Sequence, residues 1–420
     1  MRSPDQEGSE IHQIKNILYE LKKKVDVYPI WVIFNSDKIL KHDESDEKII
    51  LFNEYSDAIE ILDKFNPDLI LNEIEFVSHS TVFTLGARFK KIPIVTYCFT
   101  NYLNTSSTTM LKSKLQIFRT GGSFLNHENE TNGDGKFLEK INIKKNFLKR
   151  TLQKIGYNKF RIWKFMLFNY KTQFFSKTSG GMSLHKFSSG ELNLCSSQIW
   201  KKQLKNIGFN ESTLFVVGDP YLDKILLDVN NHNSKYTKST KKVRILFCAA
   251  PMYEHGYLNK TEQDKMIIQT INRVLDNDSF EIALKIHPSS SSITEYQEIL
   301  KSCQGHIKLY QKENLLELLD QCDIMITFGG SMVMLYGVLL KKPILFLDFY
   351  GKIKKLNIFY DKTVSTRCLN IDQVIPKIIE ANSRNIENID YENFRKKYFG
   401  TSNSNHSHDS AEKILELLKC

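Results

Sequence analysis

No stretch of this chain reaches the ~18 apolar residues that a bilayer-spanning helix needs. Its first residues, Met1 to Gly8, are polar and lean acidic, without the apolar core of a secretory signal. Both absences point to a cytoplasmic protein. Cysteine is sparse: the seven residues (98, 195, 248, 303, 322, 368 and 420) include no pair at C-x-x-C spacing. An odd, scattered set excludes a disulfide framework and a zinc module, and argues for reduced thiols. With no cluster of metal ligands in the sequence, neither a metal nor a cofactor is expected. Collagen-like, coiled-coil and long low-complexity stretches are missing as well. What is present is 41% hydrophobic residues in a chain of 420, enough to core two or three domains at about 150 residues each.

The net charge is +10, and it is not spread evenly. Lys140 to Lys177 holds eleven Lys and Arg and no Asp or Glu, so the rest of the chain sums to −1. Aromatics interleave with these charges, among them Phe147, Tyr157, Phe160, Trp163, Phe165 and Phe168. Three readings of this segment stay open. One is an anionic membrane surface site using Lys144, Lys145, Lys149, Arg150 and Trp163, which would make the protein peripheral on the inner face of a membrane. The second is nucleic-acid binding through stacked bases. The third is a helical hairpin whose aromatics are core and whose lysines face water. No helix-turn-helix, zinc finger or RNA-binding sheet signature supports the second, and no nucleic-acid partner is expected.

Along the chain, residues 10–24 have the spacing of an amphipathic helix. Strand-like runs follow at Tyr28–Phe34, Ile49–Phe52, Leu69–Asn72 and Ile92–Tyr97, separated by helical segments at Asp57–Phe65 and His79–Phe89. That alternation predicts a parallel sheet. The rhythm breaks at 101–185, which reads as an insertion that includes a polar loop at Asn126–Lys136. It resumes with strands at Leu192–Ser196 and Leu214–Val217. Asp228–Lys242 is polar and aperiodic, and reads as a linker. The expected organisation is thus an N-terminal domain over 1–227, a linker over 228–242 and a C-terminal domain over 243–420. Ser410 is expected to cap a last helix at Ala411–Leu418. The helix-first start, with polar residues where a first strand and loop belong, predicts an extension upstream of Met1.

Candidate chemistry sits at strand ends, where open parallel sheets bind ligands. His287 follows Lys285 at the end of an apolar strand and precedes Pro288, which keeps it out of helical space. It reads as a ligand to a donor phosphate or leaving group, or as a cap on a turn. Gly329-Gly330-Ser331 follows the strand Asp323–Phe328 and opens a helix. Glycines admit close backbone approach, and Ser331 can cap the helix or bond a phosphate oxygen. The alternative is an ordinary strand-to-helix turn. Glu254 and His255 lie in the loop after strand Val243–Cys248, as donor contacts, as acid and base, or as a solvated pair. Glu73 and Glu75 follow the strand Leu69–Asn72, where a carboxylate is placed to deprotonate an acceptor hydroxyl, Glu75 being preferred.

Leu284-Lys285-Ile286-His287-Pro288, Cys322–Ser331, Leu339–Phe346 and Val216–Pro220 together resemble the GT-B transferases of the CDP-glycerol glycerophosphotransferase, polysialyltransferase and capsule polysaccharide type. The resemblance covers about residues 190–420. It implies an α/β GT-B fold, two Rossmann-like parallel-sheet domains facing a cleft, with the basic aromatic segment inserted in the first. It also implies a glycosyltransferase or glycerophosphotransferase of cell-surface polysaccharide or glycoconjugate synthesis. A nucleotide-activated sugar or polyol phosphate would be the donor, and a glycan or lipid-linked molecule the acceptor. One departure opens an alternative. The turn reads Gly-Gly-Ser rather than paired serines, which leans toward the non-hydrolysing UDP-N-acetylglucosamine 2-epimerases and their Ser-Gly-Gly turn. Those enzymes carry acidic residues just after the turn, whereas Met332–Tyr336 holds none. A non-catalytic GT-B binding module is the third alternative.

Overall fold

Short apolar strands and amphipathic helices alternate through most of the chain, and they assemble into parallel sheets. The computed structural model describes residues 9–33, 47–73, 78–98, 133–175, 188–206, 208–231, 242–253, 258–287, 292–328, 333–349, 361–400 and 405–419. The chain divides into two units, one comprising Glu7–Asp223 with Phe399–Cys420, the other Lys224–Tyr398.

The first unit begins with α1 (Ser9–Lys22) and a parallel pair, β1 (Ile30–Ile33) and β2 (Lys48–Leu51). After α2 (Ala58–Phe65) come β3 (Ile70–Glu73), α3 (Ser78–Lys90) and β4 (Ile94–Cys98). Two long helices follow, α4 (Gly133–Lys154) and α5 (Lys159–Phe175), then β5 (Leu192–Cys195), α6 (Gln198–Asn206) and β6 (Leu214–Val216), and α7 (Tyr221–Asn231) spans the boundary at Asp223. Strands β3-β4-β5-β6 pair side by side, all parallel. β4 and β5 are buried throughout, which is why they read as apolar runs rather than alternating ones. Their two polar side chains satisfy each other: Thr96 donates to Asn193, whose amide donates to Thr213 Oγ1 at 2.8 Å.

The helices α4 and α5 are docked, not loose. Gly156, at φ +88°, ends α4 in the left-handed region, with the Tyr157 N–H returning to Leu152 O. Asn158 caps α5 by accepting the Arg161 N–H at 2.8 Å. Phe147, Leu148 and Leu152 of α4 and Ile162 and Phe165 of α5 join Ile61, Val82 and Leu85 in one core. Thr151 Oγ1 accepts the Ala58 N–H at 3.0 Å, and Lys154 reaches Asp57, the cap of α2, at 3.1 Å. The loop expected over Asn126–Lys136 is helical from Gly133 onward.

The last helix, α14 (His406–Lys419), belongs to this first unit. Its Ala411, Ile414 and Leu415 pack with Ile14, Ile17 and Leu21 of α1 and with Val95 and Leu194 of the sheet. The sequence had placed Phe399–Cys420 with the C-terminal domain. Ser410 is not its cap: it lies inside the helix, and its hydroxyl donates back to His406 O. The cap comes from elsewhere in the chain. Asp223 accepts the N–H groups of His406 and Ser407 at 2.9 and 2.7 Å. Capping from Asp223 lets the helix start a turn earlier than local sequence suggests. Likewise the expected linker is helical over Asp228–Asn231, because Leu222, Ile225 and Leu226 carry the spacing of α7 back from its Asp219 cap.

The second unit comprises β7 (Val243–Ala249), α8 (Lys260–Leu275), β8 (Phe280–Ile286), α9 (Ile293–Lys301), β9 (Lys308–Tyr310), α10 (Leu315–Asp320), β10 (Ile324–Phe328), α11 (Val333–Leu339), β11 (Ile344–Leu347) and β12 (Thr366–Cys368). It closes with α12 (Val374–Ser383) and α13 (Asn388–Phe399). Its six strands lie in the order β12-β11-β10-β7-β8-β9, all parallel. Numbered from β7, that is the doubly wound order in which the winding reverses between the first and fourth strands. Among the described residues no helix is long and apolar enough to cross a membrane.

Two stability predictions follow from the first unit. Burial alone would raise the Asp57 carboxyl, but the Ser56 hydroxyl, the Glu60 N–H and Lys154 outweigh it and hold it below its ordinary 3.8. A lowered value stabilises the fold above pH 3.8, and the gain is lost as pH falls through the lower folded value. Asp57→Ala is expected to cost about 1–2 kcal/mol at neutral pH, with the gap to the parent closing below pH 3.8 in urea titrations. Gly218 has φ +85°, and a Cβ there would fall 2.0 Å from His406 Cδ2. Gly218→Ala should therefore cost more than about 2 kcal/mol in the same titrations.

Candidate functional site

Register in the second unit fixes which residues share a strand-end row. Ala249 at the end of β7 pairs with Ile286 of β8 on one side and Phe328 of β10 on the other. Phe328 pairs in turn with Leu347 of β11, and Leu347 with Cys368 of β12. Five neighbouring strands therefore end in one row. The next residues out from Ile286, Ala249, Phe328 and Leu347 are His287, Ala250, Gly329 and Asp348. β7 and β10 flank the point where the winding reverses, the place where sheets of this type hold ligands.

Of the sequence candidates, His287 and Lys285 are described at this row. His287 is half-buried, one residue beyond β8. Lys285 is 7% exposed, and its ammonium donates to Gln311 O at 2.6 Å and to Ile286 O at 3.2 Å. Burial lowers its pKa below 10.5. In this geometry Lys285 ties β8 to the segment after β9 and so fixes the strand end that presents His287. Gly329, Gly330, Ser331, Glu254 and His255 lie outside the described residues, as does Glu75. For Glu73 the backbone is the last residue of β3 and the side chain lies outside the description. β3 is in the first unit, so Glu73 shares no strand row with His287.

The described start of the loop after β7 is pinned. After β7, the Tyr253 N–H donates to Gln263 of α8 at 2.8 Å, and Gln263 donates to Tyr296 of α9 at 3.2 Å. Asn259 and Glu262 form a reciprocal capping box that starts α8. These bonds tie Tyr253 to the start of α8. Thr327 donates to Cys248 O at 3.0 Å and locks β10 to β7 just inside the row.

Sequence reasoning missed one pair. Asp348, 1% exposed, is the residue beyond β11, and Arg367 of β12 donates to it. Arg367 is the one half-buried residue in a run, Val364–Cys368, that is otherwise buried. A buried carboxylate held by a half-buried guanidinium places opposite charges on the same row as His287. The thiols offer no nucleophile there. Burial pushes Cys322 up to about 12 and Cys368 up to about 11, so both stay protonated at neutral pH.

On the first unit's helices, Lys145, Lys149, Arg150 and Trp163 are exposed, and the Lys144 side chain lies outside the described residues. Of the aromatics that could have been core, Phe147 and Phe165 are buried and Phe160 and Trp163 are not.

Comparison with known proteins bears on this arrangement. No curated protein sequence matches the chain. Solved structures resemble it along nearly its whole length. The S. aureus MnaA–UDP co-structure has a TM-score of 0.53 at 12% identity, covering 98% of this chain and 94% of that one. UDP-GlcNAc 2-epimerase from Methanocaldococcus jannaschii has a TM-score of 0.52 at 14% identity, covering 97% and 96%. Spinosyn forosaminyltransferase SpnP has a TM-score of 0.52 at 10% identity, covering 98% and 96%. At these identities the likeness is one of fold: α/β, with two Rossmann-like parallel-sheet domains of the GT-B kind. The expected CDP-glycerol or polysialyltransferase type is not among these likenesses. The family model for UDP-N-acetylglucosamine 2-epimerase matches residues 186–417, from just before β5 through most of α14. That is more than half of the chain, and the chain belongs to the UDP-N-acetylglucosamine 2-epimerase family.

Proposed function

We propose that this protein is an epimerase-like enzyme that binds a UDP-activated N-acetylhexosamine at the strand-end row of its second unit and acts at C2 of the sugar. The observation that carries this reading is the family match over residues 186–417, which takes in β7 to β12 and every loop that leaves the row. The relatives' ligands support it: one similar structure contains UDP, and another, from Neisseria meningitidis, is bound to UDP-GlcNAc.

Inversion at C2 breaks the C2–H bond and remakes it on the opposite face. It needs a group to take the proton and a group to return one. His287, on the row itself, and Glu254 and His255, in the loop after β7, are the titratable side chains we assign to that neighbourhood. A charge-assisted hydrogen bond from His287 and one from Ser331 would offset negative charge on the diphosphate. No metal enters this reading.

Glycosyl transfer is the second reading. Its support is the stretch Met332–Tyr336, which carries no carboxylate after the glycine turn. A glycan or lipid-linked acceptor belongs to this reading alone.

Two measurements test the proposal. Incubated with UDP-GlcNAc in heavy water, the protein should exchange the C2 proton for deuterium and form the C2 epimer, both visible by proton NMR. Transfer chemistry leaves the C2 proton in place, so bound UDP-GlcNAc with no exchange would refute epimerisation. Second, His287→Ala and Ser331→Ala should each lower kcat/KM by about tenfold to hundredfold, the loss of one charge-assisted hydrogen bond. Their melting temperatures should stay at the parent value. Parent kinetics in both variants would remove these two residues from the site.

A further inference from the structure

The basic segment has two faces. Inward, α4 and α5 contribute Phe147, Leu148, Leu152, Ile162 and Phe165 to the core of the first unit. Outward, α5 shows Phe160, Trp163 and Leu167, which are 68%, 59% and 38% exposed. At 3.6 residues per turn these three fall within an arc of about 60°. Arg161 and Lys164 border the arc on one side and Lys159 on the other, all exposed. The Phe160 and Trp163 rings stack on each other, with centroids 6.1 Å apart and planes at 26°.

On α4, Lys145, Lys149 and Arg150 are exposed as well. Lys154 has a carboxylate partner in Asp57. Among the described residues, Lys145, Lys149, Arg150, Arg161 and Lys164 have none. An apolar stripe of Trp, Phe and Leu rimmed by unpaired cations is the pattern of a helix that lies in a bilayer interface. Single-stranded nucleic acid would need open ring faces for its bases to stack on. Phe160 and Trp163 lie against one another on the helix, and Leu167 extends the patch with an aliphatic surface that offers no stacking.

We propose that α4 and α5 dock the protein on a bilayer bearing anionic lipid headgroups. Phe160, Trp163 and Leu167 enter the boundary between headgroups and acyl chains, while the flanking lysines and arginines engage the headgroups. This is independent of the chemistry proposed for the second unit.

The chain has three tryptophans. Trp200 is 3% exposed, and the Trp31 indole donates to Glu47. Trp163 is therefore the exposed reporter. The full-length protein should float with vesicles of phosphatidylcholine plus phosphatidylglycerol at low salt, and not with phosphatidylcholine alone. Flotation should fall at 1 M salt, where screening shortens to ~3 Å. Brominated lipid should quench tryptophan emission, and Trp163→Phe should abolish that quenching while the protein still floats. Phe160→Ser with Trp163→Ser, and separately Lys145→Glu with Lys149→Glu and Arg150→Glu, should each weaken vesicle binding at least tenfold. Every altered position is exposed, and circular dichroism and melting temperature should match the parent. Three results would overturn the proposal. One is no flotation with anionic vesicles at low salt. Another is flotation without quenching of Trp163, which means adsorption by charge alone. The third is tighter binding to single-stranded RNA than to vesicles.

Discussion

In-register parallel pairing is the constraint on which the second unit depends. Once Ala249 is paired with both Ile286 and Phe328, and Phe328 with Leu347, four strands must end at one level. Each strand then hands its next residue to the same surface. That is how His287, Ala250 and the Asp348–Arg367 pair come to share a row, although they are spread over more than a hundred residues of sequence. The buried bonds just inside the row serve this alignment. Thr327 holds β10 to β7, and Lys285 holds β8 to the chain after β9. Breaking either would leave a buried polar group without its partner, which costs more than the bond itself contributes.

The first unit rests on a different device. Its sheet and its basic helices are held by apolar packing, but the chain's last helix is placed by one carboxylate. Asp223 takes two backbone N–H groups and the Ser407 hydroxyl, and His406 Nδ1 lies 3.0 Å from it. Gly218 makes the close approach of the His406 ring possible, because any Cβ would occupy that space. Val217, Ile414 and Ile17 then close around the join. The terminal helix thereby completes the core of the unit that the chain began with.

These two devices explain what could and could not be read in the sequence. Strands such as Ile94–Cys98 and Ile324–Phe328 were legible because they are buried along their whole length and so appear as unbroken apolar runs. The helix after Asp57 was legible because its cap is local. The start of the last helix was misread because its cap is Asp223, far away in sequence, and Ser410 offered a plausible local substitute. The beginning of the supposed linker was misread because polar residues at Asp228–Asn231 hide the end of α7. The place of His287 one residue beyond β8 was legible because Pro288 and an apolar strand frame it. Asp348 and Arg367 were overlooked because their meaning depends on β11 and β12 lying side by side, which no local pattern states. Which aromatics of the basic segment are core was not legible in sequence: the fold buries Phe165 and leaves Trp163 outside.

The central claim is that a uridine nucleotide binds at the strand-end row of the second unit. Hydrogen–deuterium exchange measured by mass spectrometry, with and without UDP, tests it most directly. The account predicts slowed exchange in peptides that contain Ala250–Tyr253, His287 and the chain just after Phe328, with peptides from α4 and α5 unchanged. Saturating UDP that protects none of these three, or that protects only the first unit, would contradict it.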